Sequence, residues 1–156
     1  MGNRMELVAG DLQEILVHVG TGDRDALRDP ARFGAWLSLS GMDPTWLDLF
    51  AEAARVTTDT DGPRDFLDAR IEVAPSDDAT ALTVERVDPT WVRAVAAIPD
   101  AALDGVAGRW IDRLDDEIGP LGSEEKPWIR ELVGQLVVFC RQADRHPDVV
   151  FLWELS

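Results

Sequence analysis

The stretch that most limits what this chain can become runs from Asp100 to Gly119. Leu103, Val106, Ala107, Trp110, Ile111, Leu114 and Ile118 recur there at the spacing of one helical face. An apolar stripe that long has to be covered, so the helix belongs inside a layered fold. Gly119-Pro120 stops it. The segment from about Glu124 to Ala143 follows, with Ile129, Leu132, Val133, Leu136, Val137, Phe139 and Cys140. It is apolar over more of its circumference, which predicts a central, well-buried helix.

Helix starts are marked by Asp-Pro, which occurs at 29–30, 43–44 and 88–89. The Asp carboxylate caps free N–H groups, and Pro suits the first helical position because its missing N–H would be unpaired there. Two copies extend to Asp-Pro-Thr-Trp, each set between apolar residues, Met42 and Leu47 in one and Val87 and Val92 in the other. That is the pattern of a hydrophobic staple. Sequence flanking the two copies does not match, so convergence on one capping solution explains them better than duplication. Trp46 and Trp91 are expected as partly buried lids whose indole N–H groups find polar partners. Helices are therefore predicted after Asp43-Pro44, with Leu47, Phe50, Ala51 and Ala54 inward, and after Asp88-Pro89, ended by Pro99. ARFGAWLSLSG after Asp29-Pro30 also reads as a helix, with Phe33, Trp36 and Leu37 on one face and Gly41 as its stop.

Strand signals are fewer. Residues 11–20, DLQEILVHVG, fit both a short helix and a strand, and the alternation of Ile15, Val17 and Val19 favours a strand in the second half. VTTDTDGPR, 56–64, reads as a loop. ARIEV and TALTVERV flank APSDDA as a β-hairpin, and DVVFLWEL after His146-Pro147 reads as a terminal strand. The expected fold is α+β: about five helices with a small antiparallel or mixed sheet that includes the C-terminal strand. Residues 1–156 show no linker and are read as one domain.

Charge narrows the partners. The chain carries thirty acidic residues against fifteen Lys and Arg, a formal net charge of −15. Bare nucleic acid is excluded as a partner on that ground, because phosphate binding needs a basic surface. No apolar run is long enough to span a bilayer, and Asp11, Gln13 and Glu14 interrupt the N-terminal apolar stretch, so neither a membrane span nor a secretion signal is expected. The single Cys140 fits a reducing cytoplasm. Nearly all the cations are Arg, which together with abundant Ala, Asp, Gly and Val matches coding from a GC-rich genome.

No nucleophile stands beside a base, no Gly-rich phosphate loop or paired CxxC occurs, and nothing implies a cofactor. Cys140 sits on the apolar side of a buried helix, and neither His18 nor His146 has a metal-ligand companion. TTDTDGPRDFLD, 57–68, reads first as a solvated acidic loop, and it also threads on a calcium-loop template through Asp59, Asp61, Asp65 and Asp68. In DRLDDEIG, acid crowds a helix C-terminus, where it opposes the helix dipole. Asp112, Asp115, Asp116 and Glu117 are therefore candidates for binding a basic partner, with Arg113 placed to relieve Glu117. Trp110, Trp128 and Trp153 are candidate walls of a ligand pocket.

RWIDRLDDEIG and SEEKPWIRELVGQLVVFCRQADRHPDVVFLWEL resemble the C-terminal half of uncharacterised small acidic proteins of high-GC actinobacteria. The resemblance implies a cytoplasmic bacterial protein and transfers no catalytic residue. The leading functional expectation is a non-catalytic interaction or regulatory module, in the manner of an acidic inhibitor or immunity protein. The alternative is a small-molecule-binding protein or minor enzyme with a Trp-lined pocket.

Overall fold

A computed structural model describes residues 3–39, 41–74 and 82–155. Five strands, β1 (Asn3–Gly10), β2 (Ala35–Ser38), β3 (Arg70–Ala74), β4 (Leu82–Val87) and β5 (Asp148–Leu155), form one antiparallel sheet in the order β2-β1-β5-β4-β3. Five helices, α1 (Leu12–Gly20), α2 (Thr45–Thr58), α3 (Pro89–Ala96), α4 (Leu103–Ile118) and α5 (Glu125–Ala143), complete an α+β fold. The expected hairpin is β3–β4, although its tip at 75–81 lies outside the described residues. None of the described helices is long and apolar enough to cross a membrane.

β5 is the middle strand, which explains its unbroken apolar run. Val149, Val150, Phe151 and Leu152 are all buried, so both faces of the strand are covered. Phe151 faces the helical layer with Met5, Leu7 and Ala9 of β1. On that side α2 packs on α4, and α3 and α4 pack on α5, closing the main core around Trp110, Phe50 and Trp91. Val8, Val150 and Leu152 face the other way, where α1 covers them with Ile15. All seven of the stripe residues on α4 except Leu103 and Ile118 are buried, as their spacing requires.

Two segments differ from the sequence expectation. DLQEILVHVG is helical throughout. The Asp11 carboxylate accepts the Glu14 N–H at 3.1 Å and Asp148, reaching over from β5, accepts the Leu12 N–H at 3.1 Å. With both first-turn donors satisfied, the β-branched alternation is overruled, and Val17 is left exposed while Ile15 is buried. ARFGAWLSLSG holds β2 instead of a helix. Here Asp29 closes a turn on the Ala31 N–H at 2.9 Å, and the Gly34 N–H then bonds the Ala9 carbonyl at 2.9 Å, delivering the chain to the open edge of β1. Gly34 is required at that point, since a Cβ would lie 2.0 Å from His146 Nε2. In β1, Met5, Leu7 and Ala9 alternate toward the helical layer, while Val8 on the opposite face is buried as well.

The two Asp-Pro-Thr-Trp copies are the same device. Asp43 Oδ1 accepts both the Thr45 N–H (2.9 Å) and the Thr45 hydroxyl (2.8 Å). Asp88 Oδ1 accepts the Thr90 N–H (2.8 Å) and hydroxyl (2.8 Å) in the same way. Threonine thus doubles the cap, which accounts for its presence in both copies. Met42, Leu47, Val87 and Val92 are buried in the main core, as a staple demands. The tryptophans diverge. Trp46 is half-buried, whereas Trp91 is sealed in the core and its indole N–H has no hydrogen-bond partner among the described residues, contrary to the expectation of a lid.

Candidate functional site

A wide cleft lies where α2 and α3 end and α4 begins. Helix α2 extends to Thr58, one turn into the segment expected as loop, because the Thr58 hydroxyl donates to the Ala54 carbonyl at 2.7 Å and Asp59 stops the helix in a left-handed conformation (φ 50°). The chain then turns through Gly62 (φ 49°), where a Cβ would press on Arg55, and Pro63. These residues form one wall with Thr57 and Thr60. Ala94, Ala97 and Ile98 at the end of α3 form the second. The third is the turn Pro99–Ala102 with Gly105 of α4, which sits so close to α2 that a Cβ there would be 2.8 Å from Thr57 Cγ2.

The cleft holds about 690 Å³. That falls in the range of about 300–1,000 Å³ usual for small-molecule sites. Its lining is alanine, glycine, proline, isoleucine and threonine. Such side chains offer apolar surface and hydroxyl hydrogen bonds, and none of them exchanges a proton near neutral pH. The Thr57 hydroxyl is itself buried without a hydrogen-bond partner among the described residues.

The acidic cluster on α4 divides into different jobs. Asp115 turns back to accept the Leu121 N–H at 2.7 Å, fixing the link between α4 and α5. Glu117 takes the Arg113 guanidinium at 3.4 Å, the expected relief, while Arg113 also reaches Glu52 on α2 at 2.6 Å. Asp112 and Asp116 are exposed and make neither a hydrogen bond nor an ion pair among the described residues. Asp112 shares a small depression with Glu52, Val56 and Arg109.

The three candidate tryptophans do not meet in one opening. Trp110 is buried in the core, its ring 5.1 Å from Phe50 at a tilt of 60°, and its indole N–H donates to the Trp46 carbonyl at 2.9 Å. Trp128 is exposed on the first turn of α5, and Trp153 lies on β5, its indole nitrogen buried and unpaired among the described residues. The calcium-loop reading of Asp59, Asp61, Asp65 and Asp68 fails on geometry. No three carboxylate, His or Cys groups among the described residues converge as a metal would need. Asp65 is instead held by Arg55 at 3.1 Å.

Other ionisable groups are structural. Burial pushes the Cys140 thiol far above its usual range, so it carries no thiolate. Arg70 and Glu85 pair at 3.1 Å across β3 and β4, with Arg70 lying over Phe66 and Phe151. Burial raises the Glu85 carboxyl, and the Arg70 charge opposes that shift. On the opposite face Glu6, fully buried, accepts from Arg4 at 2.9 Å and from the Trp36 indole at 3.2 Å.

The cleft escaped sequence reasoning because its walls are small residues at helix ends. The signal present was the density of Ala and Thr in TTDTDGP and AAIPDAALDG, segments otherwise read as punctuation. Comparison of the chain with family models, with curated proteins and with solved structures returned no match, so any role rests on geometry and chemistry alone.

Proposed function

We propose that the protein works by binding a small, largely apolar molecule in the cleft between the ends of α2 and α3 and the start of α4. One observation carries this reading: an opening of about 690 Å³ lined by side chains suited to contact and not to chemistry. It corresponds to the ligand-binding alternative from the sequence, with alanine and threonine walls in place of tryptophan. Backbone amide NMR with a fragment library tests it. Fragments should shift the amides of Thr57, Ala97, Ala101 and Gly105, and Ala97→Trp, placed at the exposed mouth, should weaken them about tenfold or more. Hits that map elsewhere, or that ignore the Ala97 change, defeat the reading.

A second reading follows from α4. Asp112 and Asp116 are left free of internal work, and with a net charge of −15 they favour a basic protein partner through electrostatic steering. A partner captured at low salt should be released by high salt and by the double change Asp112→Asn, Asp116→Asn. Capture indifferent to both removes the basis for this face.

A further inference from the structure

We propose that the outer edge of β3 docks a second copy of this chain, the two β3 strands pairing antiparallel about a two-fold axis at Ile71. β3 is the last strand of the sheet. The Asp88 N–H bonds the Ala69 carbonyl at 2.7 Å, and that bond sets the phase of the β3–β4 ladder. Ile71 therefore turns its backbone groups to β4, whereas Arg70 and Glu72 turn theirs to the open edge. These outward N–H and C=O groups have no hydrogen-bond partner among the described residues. Such an edge is a template for another strand. Ile71 lies at its middle and is 70% exposed, more than any other large apolar side chain among the described residues. At the opposite edge β2 packs against α5 and exposes no large apolar side chain.

Charge selects a second copy as the occupant and fixes the register. Outward backbone groups have to meet outward groups, so a symmetric pairing centres on Arg70, Ile71 or Glu72. Centring on Arg70 or on Glu72 sets that residue against itself, and like charges directly opposite are destabilising. Centring on Ile71 sets Arg70 against Glu72 of the second copy at both ends, each pair exchanging both of its N–H···O bonds. The two Ile71 side chains then form the non-hydrogen-bonded pair between them, where side chains approach most closely. Arg70 is a fixed charge, held by Glu85 at 3.1 Å and lying over Phe66 and Phe151. Glu72 is exposed, stands opposite Glu85 in the ladder and has no ion pair among the described residues. A second copy places a guanidinium about one strand spacing away, roughly 4.8 Å between backbones. The register on β4 shifts after Glu72, so the regular edge is short and the dimer is weak and reversible.

Sedimentation equilibrium of the full chain tests this at near-physiological salt, which screens the net charge of each copy. A monomer–dimer equilibrium is expected, with a dissociation constant on the order of 0.1 mM. Glu72→Arg sets like charges opposite each other and should weaken the dimer about tenfold. Glu72→Pro removes an N–H that only the second copy uses, so it should abolish the dimer while a thermal melt shows the fold intact. Register is read by oxidative crosslinking. Ile71→Cys meets its own copy and should form a covalent dimer, whereas Glu72→Cys faces Arg70 and should give about a tenth as much. Cys140 is buried and offers no competing thiol. A chain that stays monomeric up to about 1 mM overturns the proposal. So does a dimer that Glu72→Arg leaves unchanged, or one crosslinked through Glu72→Cys as readily as through Ile71→Cys. If Glu72→Pro fails to fold, Glu72→Arg and the two cysteine variants decide.

Discussion

Trp110 and Trp91 are two sealed tryptophans of one core that differ in a single hydrogen bond. Trp110 donates to the Trp46 carbonyl, whereas the Trp91 indole nitrogen has no partner among the described residues. Replacing each by Phe removes similar packing, but only Trp110→Phe also loses a hydrogen bond, whereas Trp91→Phe removes a buried N–H that has no partner among the described residues. The cost of Trp110→Phe should exceed that of Trp91→Phe by about 1 kcal/mol in urea unfolding; equal costs would show that the bond contributes nothing. Asp88 supplies the pH-dependent case. Bonds from the Thr90 N–H and hydroxyl hold its carboxyl below the ordinary value of 3.8, with Arg64 adding a smaller pull. A group depressed in the folded state contributes stability that is present above its unfolded pKa and is lost as pH falls through the folded one. The destabilisation caused by Asp88→Ala should therefore be full near neutrality, about 1 kcal/mol, and should shrink once the pH drops below 3.8. Thermal melts of both proteins across that range check it.

At the scale of elements, α4 and its exit carry opposite predictions from adjacent acids. Asp115→Ala leaves the Leu121 N–H unpaired where the chain enters α5, and should destabilise by about 1–2 kcal/mol. Asp116→Asn removes an unpaired charge from the negative end of a helix and should stabilise by about 0.3–1 kcal/mol. Chemical denaturation of the two variants gives the signs; two changes of the same sign would mean that the cluster acts as one unit. This division was not legible in the sequence, where all four acids break the same local rule. What was legible is instructive by contrast. α2, α3, α4, α5, β5 and the β3–β4 hairpin announce themselves because one local signal, an apolar period with a cap or a turn, agrees with the tertiary result. α1 and β2 do not, because each is decided from a distance: α1 by Asp148 at its N-terminus, β2 by the vacant edge of β1 and the close pass of Gly34 under His146. The candidate site was the least legible part, since a cleft is made by where three helix ends meet and not by any one segment.

The molecule as a whole is held together while strongly charged. Arg4, Arg55, Arg70, Arg86, Arg113 and Arg141 each sit within about 3 Å of a carboxylate, so the excess acid is left on the surface without local compensation. The exposed ones among these pairs contribute about 0–1 kcal/mol each, while the net charge of −15 opposes compaction everywhere. Moderate salt screens both, and the second effect should win: the melting temperature should rise between about 10 mM and 150 mM sodium chloride, where the Debye length falls to about 8 Å. A falling melting temperature would assign more of the stability to the ion pairs. Cys140 reports the integrity of the same core. Its thiol should resist a thiol-reactive dye in the native protein and react within the dead time once the chain is unfolded in denaturant.

The central place of β5 also sets a timetable for synthesis. On a ribosome the chain emerges from β1 onward, and β1–β2 and β3–β4 are each able to pair early as separate ribbons. Neither ribbon can join the other until Asp148–Leu155 has left the exit tunnel and slid between them, pairing with β1 on one side and β4 on the other. Every helix is made before the sheet it covers is complete. From the moment they are made until β5 follows, α4 and α5 therefore lack the central strand that completes their cover, and depend on the chain's acidity to keep neighbouring chains apart.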